Sequence, residues 1–190
     1  MKRTLVLLAV ILVLALAAVY QNKGKTEEAV TASAETKPKP GFAAPTLDLP
    51  DLNDQVVAVA GKRDQLLLVN FWASWCGPCE LEAPDLQELS EEYKGDMVLY
   101  GINATSYDKE RQAREFVEEY KFTFPILMDR EGKAADLYKI TTFPTSLIID
   151  NEGIVRERVT GVISKQEWQS KIEKWINVQK KSQIEESEAS

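Results

Sequence analysis

Histidine is missing from all 190 residues. Its absence removes imidazole as a general base, as a metal ligand and as the partner that activates a nucleophilic cysteine. Cysteine is almost as scarce: Cys76 and Cys79 are the only two. A structural zinc site takes four ligands, usually Cys or His, so this chain cannot build one from those residue types. No metal and no cofactor are expected. Basic residues are also in deficit, with 23 Lys and Arg against 30 Asp and Glu and a net charge of -7. A nucleic-acid partner would require a basic footprint, and this chain has none. The length suits one globular domain, and a monomer is expected.

The first nineteen residues contain neither Pro nor Gly. Met1-Lys2-Arg3 is a short basic start, and Leu5 to Val19 is an unbroken apolar run followed by Tyr20, Gln21, Asn22 and Lys23. The pattern is that of a secretory n-region and h-region, somewhat shorter than the roughly 20 residues a spanning helix prefers. Cleavage after Ala17 or Ala18 competes with retention, and residues 1–20 are read as an uncleaved signal anchor. Lys2 and Arg3 would then stay in the cytoplasm, with the rest of the chain outside the cell membrane. Residues 21–41 are rich in Lys, Glu, Thr, Ala and Pro and read as a flexible linker with little to bury. The folded domain is expected over residues 42–178, with a polar tail over 179–190.

Within the domain, Thr46–Leu49 and Gln55–Val59 read as short strands about a turn. Leu66–Trp72 and Met97–Asn103 are apolar runs of strand length, buried on both faces. Glu80–Tyr93 and Asp108–Tyr120 carry helical periodicity, with Leu86, Leu89 and Tyr93 on one face of the first, and Ala113, Phe116, Val117 and Tyr120 on one face of the second. Phe124–Met128 is a short extended piece, and Lys133–Tyr138 a short helix. Ser146–Asp150 and Ile154–Val159 flank a Gly-containing loop and read as a hairpin. Ser164 to Glu167 forms a capping box that opens a helix with Trp168, Ile172, Trp175 and Ile176 on one side. Strands alternating with helices predict an α/β fold with parallel pairing, and the late hairpin adds an antiparallel part.

Trp75-Cys76-Gly77-Pro78-Cys79 lies between a buried strand and a helix. A cysteine at a helix start sits among unpaired N–H groups at the positive end of the macrodipole, which favours the thiolate. Cys76 is therefore the exposed nucleophile. Cys79, about one turn in, is the thiol that resolves a mixed disulfide. Gly77 and Pro78 keep the turn tight, and Pro is tolerated in the first turn. A purely structural disulfide across so short a loop would gain little chain entropy, so a redox-active Cys76–Cys79 pair is the better reading. An intact CxxC also argues against a binding module without chemistry.

Val69 to Cys79 resembles the active-site segment of the thioredoxin superfamily. The continuation Cys79-Glu80-Leu81-Glu82-Ala83-Pro84 is similar to the TlpA/ResA-like branch, membrane-tethered oxidoreductases acting outside the cytoplasm. The resemblance covers about residues 42–178. It implies a thioredoxin-like fold, a central mixed sheet flanked by helices, with extra N-terminal strands and a βα insert around residues 104–138. Thr142-Phe143-Pro144-Thr145 matches the segment where the family places a cis-proline facing the CxxC pair. Glu82 matches a family glutamate near the site and lies three residues after Cys79, within proton-exchange reach of that thiol. Thioredoxin itself carries a buried Asp where this chain has Asn70, so any proton acceptor must come from elsewhere. Pro84 and Trp72 read as structural, Trp75 as a border of the substrate surface. The site expected from all this has Cys76, Cys79 and Glu82 as catalytic residues, and Trp75, Gly77, Pro78, Phe143 and Pro144 facing the substrate.

The activity implied is protein-disulfide reduction, with electrons from a membrane carrier of the CcdA or DsbD type. Implied substrates are oxidised extracytoplasmic proteins, such as apocytochrome c awaiting haem or envelope and spore-coat proteins. The alternative is a thiol peroxidase, with antioxidant activity on the same fold. A peroxidatic cysteine normally stands in a Pro-x-x-x-Thr-x-x-Cys context, which Asn70 to Cys76 lacks.

Overall fold

The computed structural model describes residues 36–188. The reading of residues 1–20 as an anchor, and most of the linker reading, fall outside them. Five strands form the central sheet in the order β5-β4-β3-β6-β7: β3 Leu66–Trp72, β4 Met97–Asn103, β5 Ile126–Met128, β6 Thr145–Ile149 and β7 Val155–Thr160. β3 runs parallel to β4 and β4 to β5, whereas β3–β6 and β6–β7 are antiparallel. A separate antiparallel ribbon precedes it, β1 Asp48–Pro50 and β2 Val56–Ala58. Among the described residues, four α-helices complete the fold: α1 Gly77–Glu92, α2 Glu110–Glu119, α3 Lys133–Leu137 and α4 Lys165–Glu188. This is the mixed, helix-flanked sheet with leading strands that the sequence implied.

The two-residue alternation of a strand sorts β3 cleanly. Leu66, Leu68 and Trp72 pack on one face with Leu86 and Leu89 of α1 and Trp168 and Ile172 of α4. Leu67, Val69 and Phe71 pack on the other with Tyr138, which follows α3, and with Leu49 of the ribbon. Both faces are dry, which is why the run shows no polar alternation. Asn70 shares the parity of Leu68 and Trp72 and is buried, as are all seven residues of β3. In β6, Ser146 shares the parity of Ile148, which lies on the α1 face, and it pairs directly with Asn70. Two polar residues thus stand side by side on an otherwise apolar surface beneath α1.

Gly101 shows how tightly α2's side of the sheet is filled. A Cβ added there would stand 2.8 Å from Ile126 Cδ1, 3.1 Å from Phe124 and 3.2 Å from the Trp72 indole nitrogen.

The described structure extends on both sides of residues 42–178. Residues 36–41 carry ordered backbone bonds: the Gly41 N–H donates to the Val155 carbonyl at 2.8 Å, and the Lys37 N–H to that of Ala43 at 2.9 Å. β7 is an edge strand of the sheet, and at its first residue, Val155, this part of the linker supplies a backbone partner. At the other end α4 continues to Glu188, well past residue 178. Its capping box forms as expected, with the Ser164 and Glu167 side chains each accepting the other's backbone N–H, at 3.3 and 3.0 Å. Among the described residues, no helix is long and apolar enough to cross a membrane.

Candidate active site

β3 ends at Trp72, and α1 begins at Gly77, so the CxxC motif occupies the strand-to-helix corner. Cys76 is the N-cap of α1, with extended backbone (φ -89°, ψ 100°), and its Sγ accepts the Cys79 N–H at 3.2 Å. Pro78 lies in the first turn, where its missing N–H costs little. Cys76 and Cys79 form a disulfide with Cα atoms 5.2 Å apart. One expectation changes here. Cys76 is only 4% exposed, hardly more than Cys79 at 2%. The disulfide and the Cys79 N–H both draw its sulfur into the helix start, so an exposed nucleophile is not a property of this oxidised form.

On the outer side, Trp75 is 60% exposed. Its indole N–H donates to the Tyr107 carbonyl at 2.9 Å, and its ring meets that of Phe143 edge-on, with centroids 5.9 Å apart. The Phe143–Pro144 peptide bond is cis. Thr145, the next residue, pairs with Phe71 near the end of β3, so the antiparallel register brings the cis-proline to the same edge of the sheet as the CxxC corner. A cleft of about 290 Å³ opens beside Trp75, lined by Phe116, Tyr120, Glu80 and Glu119 among others. Asp108 braces the loop before the motif: it accepts from the Ser74 N–H and hydroxyl at 2.7 and 2.6 Å, and from the Asn103 amide at 2.8 Å.

On the inner side, the buried stripe of α1 comprises Cys79, Glu82, Ala83, Leu86 and Leu89. Glu82 is therefore a core residue at 1% exposure. The Asn70 amide donates to its Oε1 at 2.6 Å and to the Ser146 hydroxyl at 2.9 Å. Glu82 Oε2 is buried with no protein partner. Burial pushes the Glu82 carboxyl up to about 7, against the opposing Asn70 hydrogen bond and with a small push from Asp85. Sequence reasoning placed Glu82 beside Cys79 but missed the parts played by Asn70 and Ser146. The signal was present: Cys79, Glu82, Leu86 and Leu89 share helical spacing, and Asn70 is the one polar residue in its run. Among the described residues, no group of three or more His, Cys, Asp or Glu side chains could hold a metal ion.

Residues 40–158 match the AhpC/TSA family. The chain is 33% identical over 155 residues to the thioredoxin-like protein YneN of Bacillus subtilis, covering 81% of this chain and 86% of that protein. It is 31% identical over 173 residues to the thiol–disulfide oxidoreductase ResA of Geobacillus thermodenitrificans, covering 90% of this chain and 96% of the relative. A crystal structure of a thiol:disulfide interchange protein DsbE from Chlorobium tepidum superposes with a TM-score of 0.65 at 27% identity, over 73% of this chain and 98% of that one. Sequence, fold and a disulfide at the helix start agree, and the chain belongs to the AhpC/TSA family as a thioredoxin-fold thiol–disulfide oxidoreductase of the ResA/DsbE type.

Proposed function

We propose that this chain reduces disulfides of proteins outside the cytoplasmic membrane, to which residues 1–20 anchor it. The observation that carries the reading is the Cys76–Cys79 disulfide capping α1, with a polar, near-neutral carboxyl buried behind it. In the reduced enzyme the helix start favours the Cys76 thiolate. That thiolate attacks one sulfur of a substrate disulfide, forming a mixed disulfide and releasing the other substrate sulfur as a thiolate. Glu82 takes the proton of Cys79, whose burial otherwise opposes ionisation. The Cys79 thiolate then attacks Cys76 Sγ, the second substrate sulfur leaves, and the Cys76–Cys79 disulfide forms. Two electrons have moved to the substrate, and two protons complete its thiols.

Trp75, Phe143 and Pro144 provide the surface that receives the substrate chain, with Gly77 and Pro78 leaving room over the sulfurs. Net reduction fits the Gly-Pro spacer without His, since thioredoxin sits near -270 mV and the oxidant DsbA near -120 mV. A two-electron donor of the CcdA or DsbD type would reset the pair. Apocytochrome c and envelope or spore-coat proteins are the substrate classes this reading favours. The full-length chain in detergent, once reduced, should reduce insulin disulfides stoichiometrically, lose this with Cys76→Ser, and consume peroxide at the background rate. Peroxide turnover without insulin reduction would reverse the reading. Cell fractionation should place the chain in the membrane, and a soluble form beginning near Tyr20 would remove the anchor.

A further inference from the structure

Glu82 presents an asymmetry that the exchange reaction alone does not require. Its Oε1 is tied to Asn70, and Asn70 is tied to Ser146, while Oε2, buried alongside, has no protein partner. Buried polar atoms nearly always find one. We propose that Asn70 and Ser146 are positioning residues that hold the Glu82 carboxyl by Oε1 in both of its protonation states, leaving Oε2 as the atom that takes up and returns the Cys79 proton. The inference rests on the proton-exchange reading of Glu82 given above.

The chemistry of the two residues suits that task. An amide carries donor and acceptor on one planar group, and a hydroxyl can act as either. Facing a carboxylate, Asn70 donates through Nδ2 to Glu82 Oε1 and to Ser146 Oγ, as observed. Facing a carboxyl protonated on Oε2, Asn70 keeps the same pose, because Oε1 is then a carbonyl oxygen that still accepts from Nδ2, and Ser146 Oγ goes on accepting from the same amide. Both hydrogen bonds persist, and the Glu82 carbon frame stays in place. A lysine or arginine at position 70 would lock Glu82 as the anion, and an aspartate would compete for its proton. Asp85 of α1 is the charged group that bears on the Glu82 carboxyl, Cys79 shares its buried stripe one turn earlier, and the sheet presents the neutral Asn70 and Ser146. The direct pairing of Asn70 with Ser146 across β3 and β6 fixes the seat at the centre of the five-stranded sheet.

The test follows the Glu82 carboxyl itself, by infrared or carbon-13 titration of the oxidised full-length chain in detergent, with Glu82→Gln assigning the signal. Asn70→Leu removes the donor, and the titration midpoint should rise by at least one pH unit, about tenfold in proton affinity. Ser146→Ala, a small change that keeps the strand, should shift it in the same direction by less. Asn70→Asp should replace the single titration by two coupled steps of a carboxyl pair. The acid limb of the exchange rate of the reduced enzyme should move with each midpoint. Unchanged midpoints in Asn70→Leu and Ser146→Ala, with Glu82→Gln still slow in exchange, would overturn the seat while leaving the role of Glu82 intact. A wild-type rate and pH profile in Glu82→Gln would overturn both. Should Asn70→Leu fail to fold, Ser146→Ala and Asn70→Asp decide the matter.

Discussion

The disulfide divides its surroundings into two unlike regions. Outside stand Trp75, Tyr107 and Phe143, large rings with Trp75 and Tyr107 more than half exposed. Inside stand Asn70, Glu82 and Ser146, small polar groups at 1–2% exposure, linked in one chain of hydrogen bonds. The outer region has aromatic surface to offer another protein, bordered by Glu80 and Glu119. The inner region touches no solvent, so a proton there responds strongly to every neighbour. On the proposed function, recognition and proton handling fall on opposite sides of one S–S bond, and each side can be altered while the other is watched.

The strongest perturbation acts on the bond the two regions share. Cys79→Ser should lower turnover by roughly a thousandfold or more, since the resolving step loses its nucleophile. Stable mixed disulfides through Cys76 should then accumulate on non-reducing gels. Persistent turnover in Cys79→Ser would remove the assigned order of attack.

The next prediction isolates the inner side. Glu82→Gln should slow exchange by about a hundredfold, within the range for a lost acid–base group. It should also change how stability depends on pH. The Glu82 carboxyl lies near 7 when folded, above the 4.5 of an ordinary glutamate. The folded protein therefore binds this proton more tightly than the unfolded chain does. That contribution is complete below about pH 4.5 and is lost as pH rises through 7. Wild type should lose roughly 3 kcal/mol relative to Glu82→Gln across that interval, read from urea unfolding of the oxidised forms. A constant difference between the two proteins would mean that Glu82 ionises normally.

Asp108→Ala tests the brace between the regions. Loss of its bonds to Ser74 and Asn103 should cost about 2 kcal/mol of stability and lower turnover without moving the pH profile. A shifted pH profile would show that the brace also reaches the inner side. The smallest effect is expected outside: Trp75→Ala gives up one edge-on ring contact, about 1 kcal/mol. It should raise KM for a protein substrate several-fold while kcat and the pH profile hold. If kcat falls instead, Trp75 contributes to the chemistry and the division of labour fails.

The outer side was the more legible of the two from the sequence. CxxC after an apolar strand and an aromatic beside the first cysteine are local patterns, the place of Phe143-Pro144 was implied by the family resemblance, and the fold brings Phe143 against Trp75. β3 and β4 were also legible to the residue, because strands covered on both faces leave largely apolar runs without polar alternation. The inner side depends on contacts between distant residues. Asn70 and Ser146 are 76 positions apart in sequence, and nothing local announces that they face each other beneath Glu82. Only parity within each strand and the register between strands reveal it. The burial of Cys76 was missed for a related reason: helix-start position says where the thiolate is favoured, not how the oxidised pair folds its sulfurs inward. The backbone bonding of residues 36–41 depends likewise on a partner, the β6–β7 hairpin, that lies more than a hundred residues downstream.

The pairing of β3 with β6 has a consequence for folding fidelity. That one ladder sets Asn70 opposite Ser146 and, two residues before Ser146, brings Pro144 to the CxxC edge. A slip of one residue in an antiparallel ladder turns every side chain of the slipped strand to the opposite face. It would swing Ser146 away from Glu82 and carry Pro144 off its place in the same movement. A misregistered molecule could therefore not be partly competent, keeping substrate recognition while losing proton control. Correct strand alignment and a working site arrive together, so the enzyme's own turnover reports whether its central sheet was zipped in the right frame.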